Sequence, residues 1–178
     1  QGEDSAALAR LSYDEFLANQ LALALVRRSL RQTRGISRKF DGVLKAKILA
    51  ALPYSLTNGQ AQAVTEIEED LASPIRMLRL LQGDVGAGKT VVGLLAAAAA
   101  IESGAQTVLM APTEILARQH HASLAPLCEA AGIRLAILTG RDGARHKRET
   151  RAALEAGEID LLVGTHALIQ EAVAFRSL

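Results

Sequence analysis

Apolar side chains set the first divisions of the chain. From Ser12 onward, Tyr13, Phe16, Leu17, Leu21 and Leu25 recur at helical spacings, and Asp14 and Glu15 stand where a first turn favours negative charge, which predicts a long amphipathic helix. A shorter apolar, lysine-bearing segment runs from Gly42 to Leu52 and stops at Pro53, because a residue before proline is pushed out of helical geometry. Beyond it the pattern becomes an alternation. Helices are predicted near Thr57–Ala72, Lys89–Ser103, Glu114–Ala131 and Asp142–Ala156, and strands near Leu78–Gln82, Thr107–Met110, Leu135–Leu138 and Leu161–Val163. Apolar strands separated by helix-sized segments imply a parallel sheet covered on both faces, since parallel strands need crossovers. The reading is therefore an α/β domain over residues 53–178, preceded by a helical lead-in over residues 1–52.

Composition narrows this little. A chain of 178 residues that is 49% hydrophobic, with 20 basic and 19 acidic side chains, suits one ordinary domain with a small appendage. The net charge of +1 points to no polyanion or membrane as a whole, so any such partner must be argued from local patches. Cys128 is the single cysteine, which excludes an internal disulfide and a disulfide-linked framework and fits a reducing, cytoplasmic setting; its plain reading is a small residue packed on a helix. The longest apolar run, Val91 to Ile101, is too short to span a bilayer. The start at Gln1, without an initiator Met or a signal core, is read as a chain processed, tagged or cut from a larger one.

The strongest chemical signal lies in "LLQGDVGAGKTVVGLL". Gly83, Gly88, Lys89 and Thr90 satisfy the phosphate-loop pattern G-x-x-x-x-G-K-T, with a predicted strand before and a helix after. Small residues let consecutive backbone N–H groups turn inward around a phosphate, and the helix N-terminus adds its positive end. Lys89 then faces the outer phosphates and the Thr90 hydroxyl ligates Mg2+. The same residues also suit a purely structural glycine turn.

The loop's interior, Asp84, Val85, Gly86 and Ala87, narrows the class, because "GDVGAGKT" resembles the first motif of superfamily 2 helicases of the RecG type and of the related transcription-repair coupling factor. "LTNGQAQAV" resembles the family's adenine-reading segment, "MAPTEILARQH" its motif Ia, and "ILTG" and "VGTHALIQ" the next two DNA-facing motifs in order. "LSYDEFLANQLAL" more weakly resembles the connection ahead of the RecG motor, and Glu114 favours RecG over the coupling factor. The resemblance implies the N-terminal part of the first RecA-like motor domain of an ATP-dependent DNA helicase that remodels branched DNA, with ATP and Mg2+ as cofactors. It implies Gln60 on the adenine edge with Tyr54 packing on the base, and Thr113, Thr139, Gly140 and Thr165, with Arg118 as a weaker candidate, on the DNA backbone.

Several of these residues have plainer explanations. Thr57 and Gln60 are spaced as a capping box. Thr113 is a good N-cap with Glu114 in the first turn. Yet Gly164-Thr165-His166 repeats that arrangement after a later strand, and in a parallel sheet such turns gather on one edge, where ligands bind. His120-His121 has no third ligand at metal spacing. The basic run Arg27, Arg28, Arg31, Arg34, Arg38 and Lys39, and "RDGARHKRETR" at 141–151, are read first as solvated faces and second as phosphate contacts. With aromatics at only 3%, base stacking is not the expected mode of binding, so contacts should be to phosphates and salt-sensitive.

One part of such a motor is not found. No apolar strand ends in Asp-Glu to hold the metal and activate water; Glu68-Glu69-Asp70 falls in a helix, and Asp160 precedes its apolar run. The expectation is a chain truncated before that catalytic (Walker B) strand, not itself a competent ATPase and prone to self-association through exposed apolar surface. A coupling-factor translocase, a phosphate-loop kinase or GTPase, and a non-catalytic nucleotide- or DNA-binding module remain the rival readings; the lack of an N-K-x-D segment counts against a GTPase.

Overall fold

The computed structural model describes residues 3–32, 34–165 and 173–178. Its elements run α1 (Glu3–Gln32), α2 (Val43–Ala51), α3 (Asn58–Ala72), α4 (Lys89–Glu102), β1 (Thr107–Ala111), α5 (Glu114–Ala131), β2 (Leu135–Leu138), α6 (Ala144–Ala156) and β3 (Leu161–Thr165). The strands form one parallel sheet in the order β1-β3-β2. Thr107 to Ala111 pair with Leu161 to Thr165 on one side of β3, and Leu135 to Leu138 pair with Leu161 to Gly164 on the other.

Strand alternation divides the core. Leu161 and Val163 of β3 face α4 and α5, while Leu162 between them turns to the opposite side and packs with Leu138, Leu154 and Ile159. Because β3 is central, all five of its residues are buried. Helix α4 fills the larger side; with Val91, Val92, Leu94, Leu95, Ala98 and Ala99 all buried, it is apolar round most of its circumference, as a helix inside a core must be. The short α2 belongs to this core too. Its Ile48 is wholly buried beside Val64, Leu94 and Leu124's cluster, and the Glu102 carboxylate at the end of α4 accepts from the Gly42 and Val43 amides at the start of α2, at 3.1 and 2.8 Å.

The predicted strand at Leu78–Gln82 is not formed: residues 76–84 carry no strand or helix, and Leu78 and Leu80 are exposed. An apolar run becomes a strand only by pairing, and β1 has β3 on one side and no strand on the other among the described residues. The segment is held instead by Arg79, whose guanidinium reaches Asp70 at 2.8 Å and Glu66, and by Leu81, which packs on the main core. Glu68 meanwhile pairs with Lys45 at 2.8 Å. The acidic stretch before the loop thus has structural duties.

Of the first basic run, Arg27, Arg28 and Arg31 lie among residues whose side chains are outside the described set. Downstream, the chain runs back along α3: Gly35 N–H donates to Pro74 O and Arg38 N–H to Leu71 O, each at 2.8 Å. Gly35 is required by that approach, since a Cβ there would stand 2.7 Å from the Ile75 carbonyl carbon.

Candidate nucleotide loop and nucleic-acid edge

Local sequence builds the loop at residues 83–90. Ala87 N–H closes a turn onto Asp84 O at 3.2 Å, and Gly86 and Gly88 take φ of 84° and 73°, which side-chain-bearing residues rarely adopt. Gly88 is the N-cap of α4, so Lys89 and Thr90 occupy its first turn. Among the described residues the amides of Gly86, Gly88, Lys89 and Thr90 have no protein acceptor, and Lys89 Nζ lies over the loop, donating to Gly83 O and Asp84 O at 2.5 and 2.7 Å. Unpartnered donors beside an ammonium group form an anion cradle. Val85 at the tip is fully exposed.

Gln60 joins this loop to α3. Its side-chain carbonyl accepts from Thr57 N–H at 2.8 Å while Thr57 Oγ1 accepts from Gln60 N–H, completing the capping box. Its amide nitrogen donates onward to Ala87 O at 2.9 Å. The helical-cap explanation and a place beside the loop therefore hold together at one residue. Tyr54 is half-exposed and makes no hydrogen bond with the loop.

The second group lies where the parallel strands end. Ala111 and Thr165 are register partners, as are Leu138 and Gly164, so the turns after β1 and β2 and the end of β3 share one edge of the sheet. Thr113 caps α5, its hydroxyl accepting from Leu116 N–H at 3.3 Å. Thr139 and Thr165 are buried, and Gly140 is exposed. Arg118 donates to Thr139 Oγ1 at 3.3 Å and to Asp142 at 3.0 Å, so it sits within this edge rather than apart from it. Asp142 was not anticipated from sequence, although a Thr-x-x-Asp turn just before a helix is a signal for it. Burial pushes the Asp142 carboxyl up, but the Thr139 amide and hydroxyl and the Arg118 guanidinium outweigh it and hold it below the ordinary value. His166 and "ALIQ" lie outside the described residues. The loop and the edge are not joined by a hydrogen bond or ion pair among the described residues.

His121 is partly buried and its imidazole is held below the usual value, first by burial and then by Arg118, which disfavours the charged form. Among the described residues no three His, Cys, Asp or Glu side chains converge on a metal position, and no helix is long and apolar enough to cross a membrane.

A glycine loop with unpartnered amides opening a core helix, and the ends of the strands gathered at the carboxyl edge of a parallel sheet with flanking helices, define a RecA-like α/β architecture. The model of the DEAD/DEAH box helicase family matches residues 57–177, and the chain belongs to that family. It is similar to the ATP-dependent DNA helicase RecG of Bacillus subtilis (strain 168), at 48% identity over 170 residues, 95% of this chain and 25% of that protein. RecG of Escherichia coli (strain K12) is 41% identical over 169 residues, 95% of this chain and 24% of that protein. The solved structure of RecG bound to a three-way DNA junction superposes with a TM-score of 0.83 at 42% identity, over 96% of this chain and 23% of that one. The helicase MrfA, at 15% identity and a TM-score of 0.57, shares the fold alone. The chain spans about a quarter of the length of the curated relatives it matches. The RecA-like helicase fold expected from the sequence is the fold found, with three of its four expected strands formed.

Proposed function

We propose that these residues are the N-terminal part of the first motor domain of an ATP-dependent DNA helicase of the RecG kind, acting on branched DNA such as stalled forks and four-way junctions in recombination and repair. The observation that carries this is the superposition over 96% of the chain on a RecG bound to a branched DNA, with the cradle at 83–90 intact within it. Residues 53–178 are the motor portion and residues 1–52 the lead-in, whose α2 is seated in the motor's core through Ile48. The protein acts in the cytoplasm.

The cradle suits a nucleoside triphosphate with Mg2+: its unpartnered amides and Lys89 match a polyphosphate, and the Thr90 hydroxyl, which makes no hydrogen bond within the described residues, is available as an oxygen ligand. The metal, when bound, neutralises charge on the phosphate oxygens. Gly83 to Gly88 hold the phosphates by backbone amides, Lys89 exchanges two carbonyl partners for them, and Gln60 and Tyr54 flank the base. Thr113, Thr139, Gly140 and Thr165 mark the edge that meets DNA phosphates. With no strand ending in Asp-Glu in the sequence, the 178 residues bind nucleotide without turning it over.

Nucleotide titration and ATP hydrolysis, with and without a three-way junction, test this. The chain should bind a fluorescent ATP analogue with Mg2+, Lys89→Ala should weaken that binding by about tenfold or more, equivalent to about 1.4 kcal/mol, and turnover should be absent. Lys89-dependent turnover would refute the non-catalytic reading; binding indifferent to Lys89 would refute the cradle.

A further inference from the structure

The turn between β2 and α6 is fastened to the start of α5 by two ion pairs of opposite sense. Glu114 and Arg118 stand four residues apart, one helical turn, and they meet the adjacent Arg141 and Asp142 of the turn. Arg118 pairs with Asp142 at 3.0 Å and Arg141 with Glu114 at 3.2 Å. Each carboxylate does a second task. Asp142 accepts from Thr139 N–H at 2.6 Å, and Glu114 from Arg141 N–H at 2.9 Å. Asp142 N–H itself donates to Thr139 O at 3.3 Å, and Lys147 holds Gly140 O at 2.8 Å.

Of the four amides in residues 139–142, three are consumed by these bonds, and only Gly140 N–H has no acceptor among the described residues. Gly140 is exposed, and a Cβ on it would come within 3.3 Å of Glu114 Oε1, so the close approach of the clamp favours the bare backbone there. Arg118, by contrast, uses one nitrogen for both Thr139 and a carboxylate that is only 10% exposed. A phosphate reaching for Arg118 must compete with a charge already at hydrogen-bond distance, and separating that pair would strand a largely buried carboxylate. The two acids also offset the two arginines of the clamp, so the clamp itself adds no net positive charge to that of Lys147 beside it.

We propose that Glu114, Arg118 and Asp142 are positioning residues: they lock the 139–142 turn so that Gly140 N–H is its one backbone donor to a nucleic-acid phosphate, and Arg118 does not itself engage the backbone. This rests on the DNA-edge reading above, from which it differs in replacing a side-chain contact by a single amide.

The test is an NMR titration of the chain with a short oligothymidylate, following the Gly140 amide and the Arg118 Nε–H, alongside affinities of Arg118→Ala, Asp142→Ala and the double variant across a salt series. Gly140 should shift saturably while Arg118 Nε–H stays put. Arg118→Ala should weaken binding by about three- to tenfold without changing the salt slope, and should cost nothing further once Asp142 is alanine. Should Asp142→Ala not fold, Asp142→Asn takes its place in the cycle. A shift at Arg118, an equal loss from Arg118→Ala in both backgrounds, or a slope smaller by about 0.7, the value of one single-strand phosphate, would overturn the proposal. If the parent chain binds no oligothymidylate, the DNA-edge reading fails by itself, and amide exchange then judges the lock. Protected Thr139 and Arg141 amides beside a fast Gly140 amide uphold it; a Gly140 amide as protected as its neighbours overturns it.

Discussion

Gln106 carries more structure than any motif residue. It is buried, its amide nitrogen donates to Leu154 O and Ile159 O at 3.0 and 2.7 Å, and its carbonyl accepts from Arg176 and Ser177 amides at 2.8 and 3.1 Å. The end of α6 and the segment at 173–178 are thereby tied through one side chain. Gln106→Leu keeps the volume but strips Ile159 O and the Arg176 and Ser177 amides of this partner, while Leu154 O keeps the Gly157 N–H at 3.0 Å, and should destabilise the fold by on the order of 3 kcal/mol in urea unfolding; an unchanged midpoint would mean that water replaces the bonds. Asp160 offers a pH test. Burial pushes its carboxyl up, but the Arg134 side chain and amide outweigh that and hold it below its ordinary value, as happens at Asp142. The native state therefore binds fewer protons than the unfolded chain in this range. The stabilisation is complete above the unfolded carboxylate value near 3.8 and is lost as pH falls through the depressed folded value. Asp160→Asn should flatten the acid limb of stability against pH, leaving neutral pH less affected in slope. Nothing in the one-dimensional pattern marks Gln106 or Asp160, because their partners lie 48 to 71 and 26 residues away.

Elements were legible wherever local chemistry sufficed. The helix at Glu114–Ala131 and the strand at Leu135–Leu138 match their predicted bounds, because Thr113 caps one end of the helix and Gly132, at φ 78°, closes the other. Helix α3 begins one residue after its predicted start because Thr57 is the cap itself. Less legible was the role of α2, which reads as part of a lead-in but is anchored by Ile48, by Glu102 across its N-terminus and by the Lys45–Glu68 pair. Ile48→Ala should cost about 2–5 kcal/mol, as large a loss as truncation of a leucine in α4, and chemical denaturation of the two variants compares them directly. A loss well under 1 kcal/mol would show that α2 is an appendage.

At the scale of the molecule, apolar side chains remain uncovered. Leu78 and Leu80 are 71% and 83% exposed in a segment whose pattern is that of a strand, and Phe16, Leu17 and Leu21 are exposed along α1. Exposed apolar surface of this kind favours association, so sedimentation should show mass rising with concentration, and the Leu78→Lys/Leu80→Lys double variant should shift the distribution toward the monomer; an equally associated variant would clear this segment. By itself the sequence determined the α/β alternation, the helix caps, the phosphate loop and its lysine, since each depends on residues within a few positions of one another and on backbone preferences that need no partner. Only the tertiary structure decided that the run at 78–82 stays unpaired, that α2 enters the core, that Gln60 reaches the loop, and that Arg118 is held by Asp142. Those outcomes depend on which distant groups arrive at the same place, and strand pairing, burial and charge compensation exist only once they have.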